Sequence, residues 1–164
     1  MTKTNFDINV QMRKDLMMAY AKVSHTCLTT QQAFKHTVKQ PAPRFYVSRK
    51  QAYQMVSKMI QGDFSMVDRM PSNRKRMYYE LFDRTQDAIQ KRGYKGKSLW
   101  HIMQFIVIQP APEFYMSYRT FEKIFSFMRE GRLEDTPCWT RWKDFFDPSK
   151  PKPAYDWRRG VRIC

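Results

Sequence analysis

Nine residues of this 164-residue chain, Gln40-Pro41-Ala42-Pro43-Arg44-Phe45-Tyr46-Val47-Ser48, return 69 positions later as Gln109-Pro110-Ala111-Pro112-Glu113-Phe114-Tyr115-Met116-Ser117. Only the fifth and eighth positions differ, and the eighth exchanges one apolar residue for another. Two copies of QPAPxFYxS mark an internal duplication, and a repeat of fixed period is normally one supersecondary unit used more than once. Any fold open to the chain must build the same corner twice.

Helical spacing follows each copy. Ala52, Met55, Val56 and Met59 fall at i, i+3, i+4 and i+7, and Phe121, Ile124, Phe125 and Met128 take the same places in the second copy. That spacing is one buried face of a helix. Ser48 suits an N-cap with Gln51 completing a capping box, and Ser117 with Thr120 is a weaker version. Val47 and Met116 precede the caps, where each can staple against residue 52 or 121. Gly62 and Gly131 stand where C-terminal glycines stop helices. Upstream, Thr29 or Thr30 caps a short segment with Ala33, Phe34 and Val38, and Ser98 caps Leu99, Ile102, Met103, Ile106 and Val107. Before these lie amphipathic stretches at 9–23 and 72–91; Leu16 corresponds to Leu81 if the second unit carries extra residues around Tyr94-Lys95-Gly96-Lys97.

Each unit thus reads as long helix, short helix, proline-bearing connection and capped third helix. Residues before proline avoid the α region, so the second helix must end at the connection. The Phe-Tyr pair is expected to plug the junction and aim the third helix. No alternation of β type is present. The expectation is an all-α fold of two tandem three-helix repeats, 1–67 and 68–132, with an aromatic, Pro-rich basic tail at 133–164. In that tail, 135–146 is expected to form a short helix bearing Trp139, Trp142, Phe145 and Phe146, followed by an extended Pro-Lys segment.

Composition supports a packed core, with 42% hydrophobic and 15% aromatic residues, while five glycines argue against a Gly-rich phosphate loop. No apolar run approaches the roughly 18 residues needed to span a bilayer. The N-terminal residues lack an apolar signal-type segment, so a cytoplasmic location is expected. Cys27, Cys138 and Cys164 are odd in number and scattered, as reduced thiols are. His25, Cys27 and His36 lack a fourth ligand at metal spacing, and His101 sits in an apolar helix. GxxxxGK, HExxH and GxSxG are missing, and the sparse carboxylates make no acid/base pair. No catalytic residue, metal or cofactor is therefore expected.

Charge points to a polyanionic partner. Thirty Lys and Arg against fifteen Asp and Glu leave +15. Residues 1–67 hold 10 basic and 3 acidic side chains, and 68–132 hold 13 and 7, so both units contribute. Nucleic acid is the commonest cellular partner of such a field.

Three short helices with a basic surface, the third aimed by a rigid corner, resemble the tri-helical helix-turn-helix class over residues 9–62 and again over 72–131. The likeness is architectural. The usual turn has about three or four residues, often with Gly, whereas this connection is longer and carries two prolines. It implies that the third helix enters the major groove with its early exposed residues at base edges. In the first unit these would be Arg44, Arg49, Lys50, Gln54, Ser57 and Lys58, residue types that pair with guanine or adenine. In the second they would be Arg119 and Lys123, but Glu113 and Glu122 lie beside them and Phe127 replaces Lys58. The first unit is thus the expected reader; the second grips backbone or meets a protein. Arg74, Lys75 and Arg76 begin a helix, where cations oppose the helix dipole and a phosphate would compensate. The expected function is double-stranded DNA binding, as a regulator or accessory factor of a phage or mobile element. A helical scaffold or adaptor for an acidic partner, contacted through the second repeat or the tail, stays open beside it.

Overall fold

The computed structural model describes residues 5–130 and the pairs 155–156 and 161–162. The expected stop at Gly131 and the tail helix at 135–146 with its tryptophans lie outside the described residues. The fold is all-α. Its helices are α1 (Asn5–Val23), α2 (Thr30–Val38), α3 (Arg49–Ile60), α4 (Ser65–Asp68), α5 (Ser72–Gln90), α6 (Leu99–Ile106) and α7 (Tyr118–Glu130). Near the C-terminus, β1 (Tyr155–Asp156) and β2 (Val161–Arg162) pair antiparallel.

The caps act at the residues the repeat selects. Thr29 Oγ1 accepts from the Gln32 N–H at 3.2 Å, Ser48 Oγ from Gln51 at 3.2 Å, Ser98 Oγ from His101 at 3.3 Å and Ser117 Oγ from Thr120 at 3.2 Å. Each serves a first-turn amide that lies before the i→i−4 ladder begins, and the His101 and Thr120 N–H groups also reach the Ser98 and Ser117 carbonyls at 3.0 and 3.1 Å. Gly62 closes α3 with φ +86°, and the Asp63 N–H returns to the Lys58 carbonyl at 2.9 Å. A left-handed glycine permits that closure. The single-turn helix α4, with Val67 buried beneath it, has no counterpart in the sequence reading.

The two corners meet. Ala42 and Ala111 exchange backbone hydrogen bonds, each 2.9 Å long. The Phe45 N–H donates to Val107 and the Phe114 N–H to Val38, both at 3.1 Å. Shifting any of these bonds by 69 residues gives its partner, so a pseudo-two-fold axis passes between Ala42 and Ala111. The prolines help to select this pairing. They carry no N–H, which leaves Ala42 and Ala111 as the only amide donors within each Pro-Ala-Pro. Side chains repeat the symmetry: Phe45 stacks on Tyr115 with centroids 6.1 Å apart, and Phe114 stacks on Tyr46 at 5.8 Å.

The extended corner carries each third helix into the opposite half. α3 packs on α5 and α6, and α7 packs on α2. From α1, Tyr20 places its ring 5.9 Å from Phe121 and 4.9 Å from Phe125. One continuous core runs from Val10 to Met128 and includes Phe45, Ala52 and Phe121, all at 0% exposure. The copies are not identical in backbone. Tyr115 has φ +52°, the one non-glycine residue with positive φ among the described residues, and its counterpart Tyr46 does not share it.

Candidate nucleic-acid interface

On α3 the buried stripe Ala52, Met55, Val56 and Met59 leaves Lys50, Gln54 and Lys58 exposed at i, i+4 and i+8 on another face. Ser57 is half-buried beside them, and the Lys58 ammonium lies 2.9 Å from the Met66 sulfur. On α7, Arg119 and Lys123 hold the places of Lys50 and Gln54 and are likewise exposed. Phe127, half-buried, holds the place of Lys58. The Arg119 guanidinium beside the Tyr118 phenol pulls that hydroxyl below its ordinary range, with Gln31 assisting.

Arg49 is turned to a different task. Its Nε donates to the Trp100 carbonyl at 3.1 Å, and its guanidinium sits 4.1 Å from the Trp100 ring centroid. That is cation–π distance. The contact ties α3 to α6 across the two halves. Its twin is Tyr118, whose hydroxyl accepts from Gln31 at 3.5 Å, Gln31 being the repeat counterpart of Trp100. Positions 49 and 118 are thus links between halves.

Arg44 is half-buried at the corner, and its Nε donates to the Phe45 carbonyl at 3.1 Å. Desolvation lowers its pKa, while Tyr46 and Asp15 act in the opposite sense. Its counterpart is Glu113, whose side chain keeps 11% exposure. Lys39 Nζ reaches Glu113 Oε2 at 2.6 Å, and Arg76 Nη1 lies 2.6 Å from Oε1, close in distance but not aligned as a hydrogen bond.

The cluster at the start of α5 is divided by its partners. Lys75 pairs with Asp68 at 2.9 Å, and Lys75 is the largest influence holding that carboxyl below its usual range. Arg76 pairs with Glu113 and also donates to Asn73 Oδ1 at 2.7 Å. Asp68 and Glu113 therefore supply the anions that cations in a first helical turn call for. Arg74 is exposed.

A further basic group lies between α5 and α6. Lys91, Arg92, Lys95 and Lys97 are all exposed around the 3₁₀ turn Arg92–Tyr94. Their signal was present in the sequence, four cations in seven residues with two glycines, running into the Tyr94–Lys97 stretch that the second unit has in excess.

Comparison with known proteins finds no matching family, no matching curated protein and no matching solved structure. Among the described residues, no helix is long and apolar enough to cross a membrane, and no group of three or more His, Cys, Asp or Glu is placed to hold a metal ion.

Proposed function

We propose that this chain binds double-stranded DNA through α3 and α7, as a regulator or accessory factor of the kind carried by phages and mobile elements. The observation that carries the reading is the shared exposure of repeat-equivalent positions. Lys50 and Gln54 on α3 and Arg119 and Lys123 on α7 face solvent at the same places in the two copies. Two helices related by a pseudo-two-fold axis suit a duplex, whose backbone has its own two-fold symmetry. Because Lys58 is replaced by Phe127, the first copy presents more polar contacts to base edges and phosphates. Lys75 and Arg76 are paired with carboxylates and Arg49 is held on Trp100, so the contact set centres on the exposed Lys50, Gln54, Lys58, Arg119 and Lys123, of which Lys58 also touches Met66 and Arg119 the Tyr118 hydroxyl, with Arg74 as an outlying phosphate contact.

Binding to a labelled duplex, measured at two salt concentrations, tests this. Changing Lys50 and Lys58 to Ala should weaken binding more than changing Arg119 and Lys123. Phosphate contacts would reduce the salt slope by about 0.9 per lost contact, and a base contact would cost about 1–3 kcal/mol of sequence discrimination. Equal losses would indicate a symmetric grip and remove the division between reader and clamp. No loss from either pair in folded protein would overturn duplex binding. The adaptor reading would then gain from the exposed apolar side chains of α6 and its end, Trp100, Phe105 and Ile108.

A further inference from the structure

The outward face of α6 departs from that of its twin, α2, in a way that the fold does not require. Helical spacing places Trp100, His101, Gln104, Phe105 and Ile108 on this face, and the 69-residue shift makes Gln31, Gln32, Lys35, His36 and Lys39 their counterparts. The five on α2 are all polar and exposed. On α6, Trp100, Phe105 and Ile108 keep 39%, 37% and 56% exposure. The core side is the same in both helices, Ala33, Phe34, Thr37 and Val38 being buried where Ile102, Met103, Ile106 and Val107 are. Trp100 has a task, since it holds Arg49. Phe105 meets Tyr94, His101 and Lys97, all of its own segment, and Ile108 leaves more than half of its surface in water. Solvent suffices as the neighbour of the same face on α2, so large apolar side chains held there on α6 point to a protein partner.

Charge says what that partner carries. The segment before α6 supplies Lys91, Arg92, Lys95 and Lys97, all exposed. Lys97 lies against the apolar face itself, its ammonium 5.5 Å from the Tyr94 ring centroid and 5.9 Å from that of Phe105. Elsewhere Lys39, Lys75, Arg76 and Arg84 each pair with a carboxylate, but none of these four does so among the described residues. Unpaired cations beside apolar side chains fit carboxylates set among apolar residues, because complementary charge steers such a partner and fixes its register. A second copy of this chain, itself at +15, is repelled. Bases of a single strand need open ring faces. Trp100 already carries Arg49 at 4.1 Å and Tyr53 edge-on at 5.3 Å, and Phe105 carries Lys97 with His101 at 5.1 Å. An interfacial helix sinks its apolar face about 5–10 Å into a bilayer. Trp100 and Phe105, each more than half covered by their own protein, are held too close to its surface for that.

We infer that the outward face of α6, with the basic turn before it, docks an acidic protein segment whose carboxylates are interspersed with aromatic or aliphatic side chains. Phe105 and Ile108 provide the apolar contact, and Lys95 and Lys97 meet the carboxylates. The inference deepens the adaptor reading and uses none of the residues assigned to the duplex.

Selecting peptides from a random display library on the full chain, and measuring the selected ones by fluorescence anisotropy, tests it. The selected peptides should combine Asp or Glu with Trp, Phe or Leu, and added salt should weaken their binding. Phe105→His with Ile108→Lys installs the side chains that α2 already carries at these places, and should weaken binding by about tenfold or more. Lys95→Glu with Lys97→Glu should also weaken it, and this pair carries the test alone if the first fails to fold. Failure to select any peptide, selection of peptides without carboxylates, or affinity undiminished in both double variants would overturn the inference. So would the finding that the first pair abolishes binding to phosphatidylserine vesicles or oligothymidylate, or a self-association seen by sedimentation, while peptide binding persists. Duplex binding by Phe105→His with Ile108→Lys should stay close to wild type, which keeps a failure here distinct from a failure of the duplex reading.

Discussion

Arg44 and Glu113 hold the same place in the two copies and carry opposite charges, and this pair shows how a duplicated chain becomes asymmetric. Glu113 is held between Lys39 of one half and Arg76 of the other, so it bridges units as well as closing a corner. Lys39 and Arg76 keep 57% and 48% side-chain exposure and can rehydrate when the carboxylate is lost. Glu113→Gln should therefore destabilise by about 1–2 kcal/mol in urea melts, below the 3–5 typical of a wholly buried pair. The corner aromatics weigh more. Phe45 and Phe114 are 0% and 4% exposed, and either one changed to Ala should cost about 3–5 kcal/mol. The adjacent phenols set an alkaline limit. Desolvation, then nearby Glu80 and Glu113, pushes Tyr115 up to about 12 from an ordinary value of 10.0. Desolvation and its bond to Asp15 push Tyr46 up as well. The unfolded chain ionises these phenols first, so their contribution is fully present below about pH 10; that of Tyr115 is lost as pH rises toward about 12, and that of Tyr46 declines from the same starting point. Melting temperature should fall across that window, and Tyr46→Phe should make the fall shallower.

At the scale of elements, the helices that follow the repeat boundaries start where their caps are. Ser48→Ala and Ser117→Ala should each cost about 1 kcal/mol, because each hydroxyl serves one amide in the same way. A larger cost at Ser117 would show that its added contact with the Thr120 hydroxyl, 2.8 Å away, also supports the helix start. These starts were legible from residue types alone, because capping is local chemistry within three or four positions. α4 was not legible. It is a single turn, too short to show a period, and it forms because Val67 finds a buried site. The Arg49 link was hidden for another reason. A basic residue just inside a helix N-terminus reads as a solvated or ligand-facing cation, and nothing local to it announces Trp100, 51 positions away.

For the whole molecule, the decisive feature is that α3 and α7 pack in each other's half, joined at the Ala42–Ala111 exchange. A fragment of residues 1–67 would leave the faces of α2 and α3 that meet α7, α6 and α5 without cover. It should show no cooperative melt as a monomer, by circular dichroism with size-exclusion chromatography. The duplication, the helical class, the caps, the closure at Gly62 and the basic balance of both halves can all be read from the order of residues. Each of these is written in short-range patterns of residue type and spacing. The pairing of the corners with each other, the use of position 49 as a link and the carboxylate partners of Arg76 and Lys75 emerge only once the chain is packed. Those outcomes depend on which distant surfaces meet, and two near-identical motifs fit equally well packed within their own units or exchanged across a two-fold axis until a whole core has to be buried.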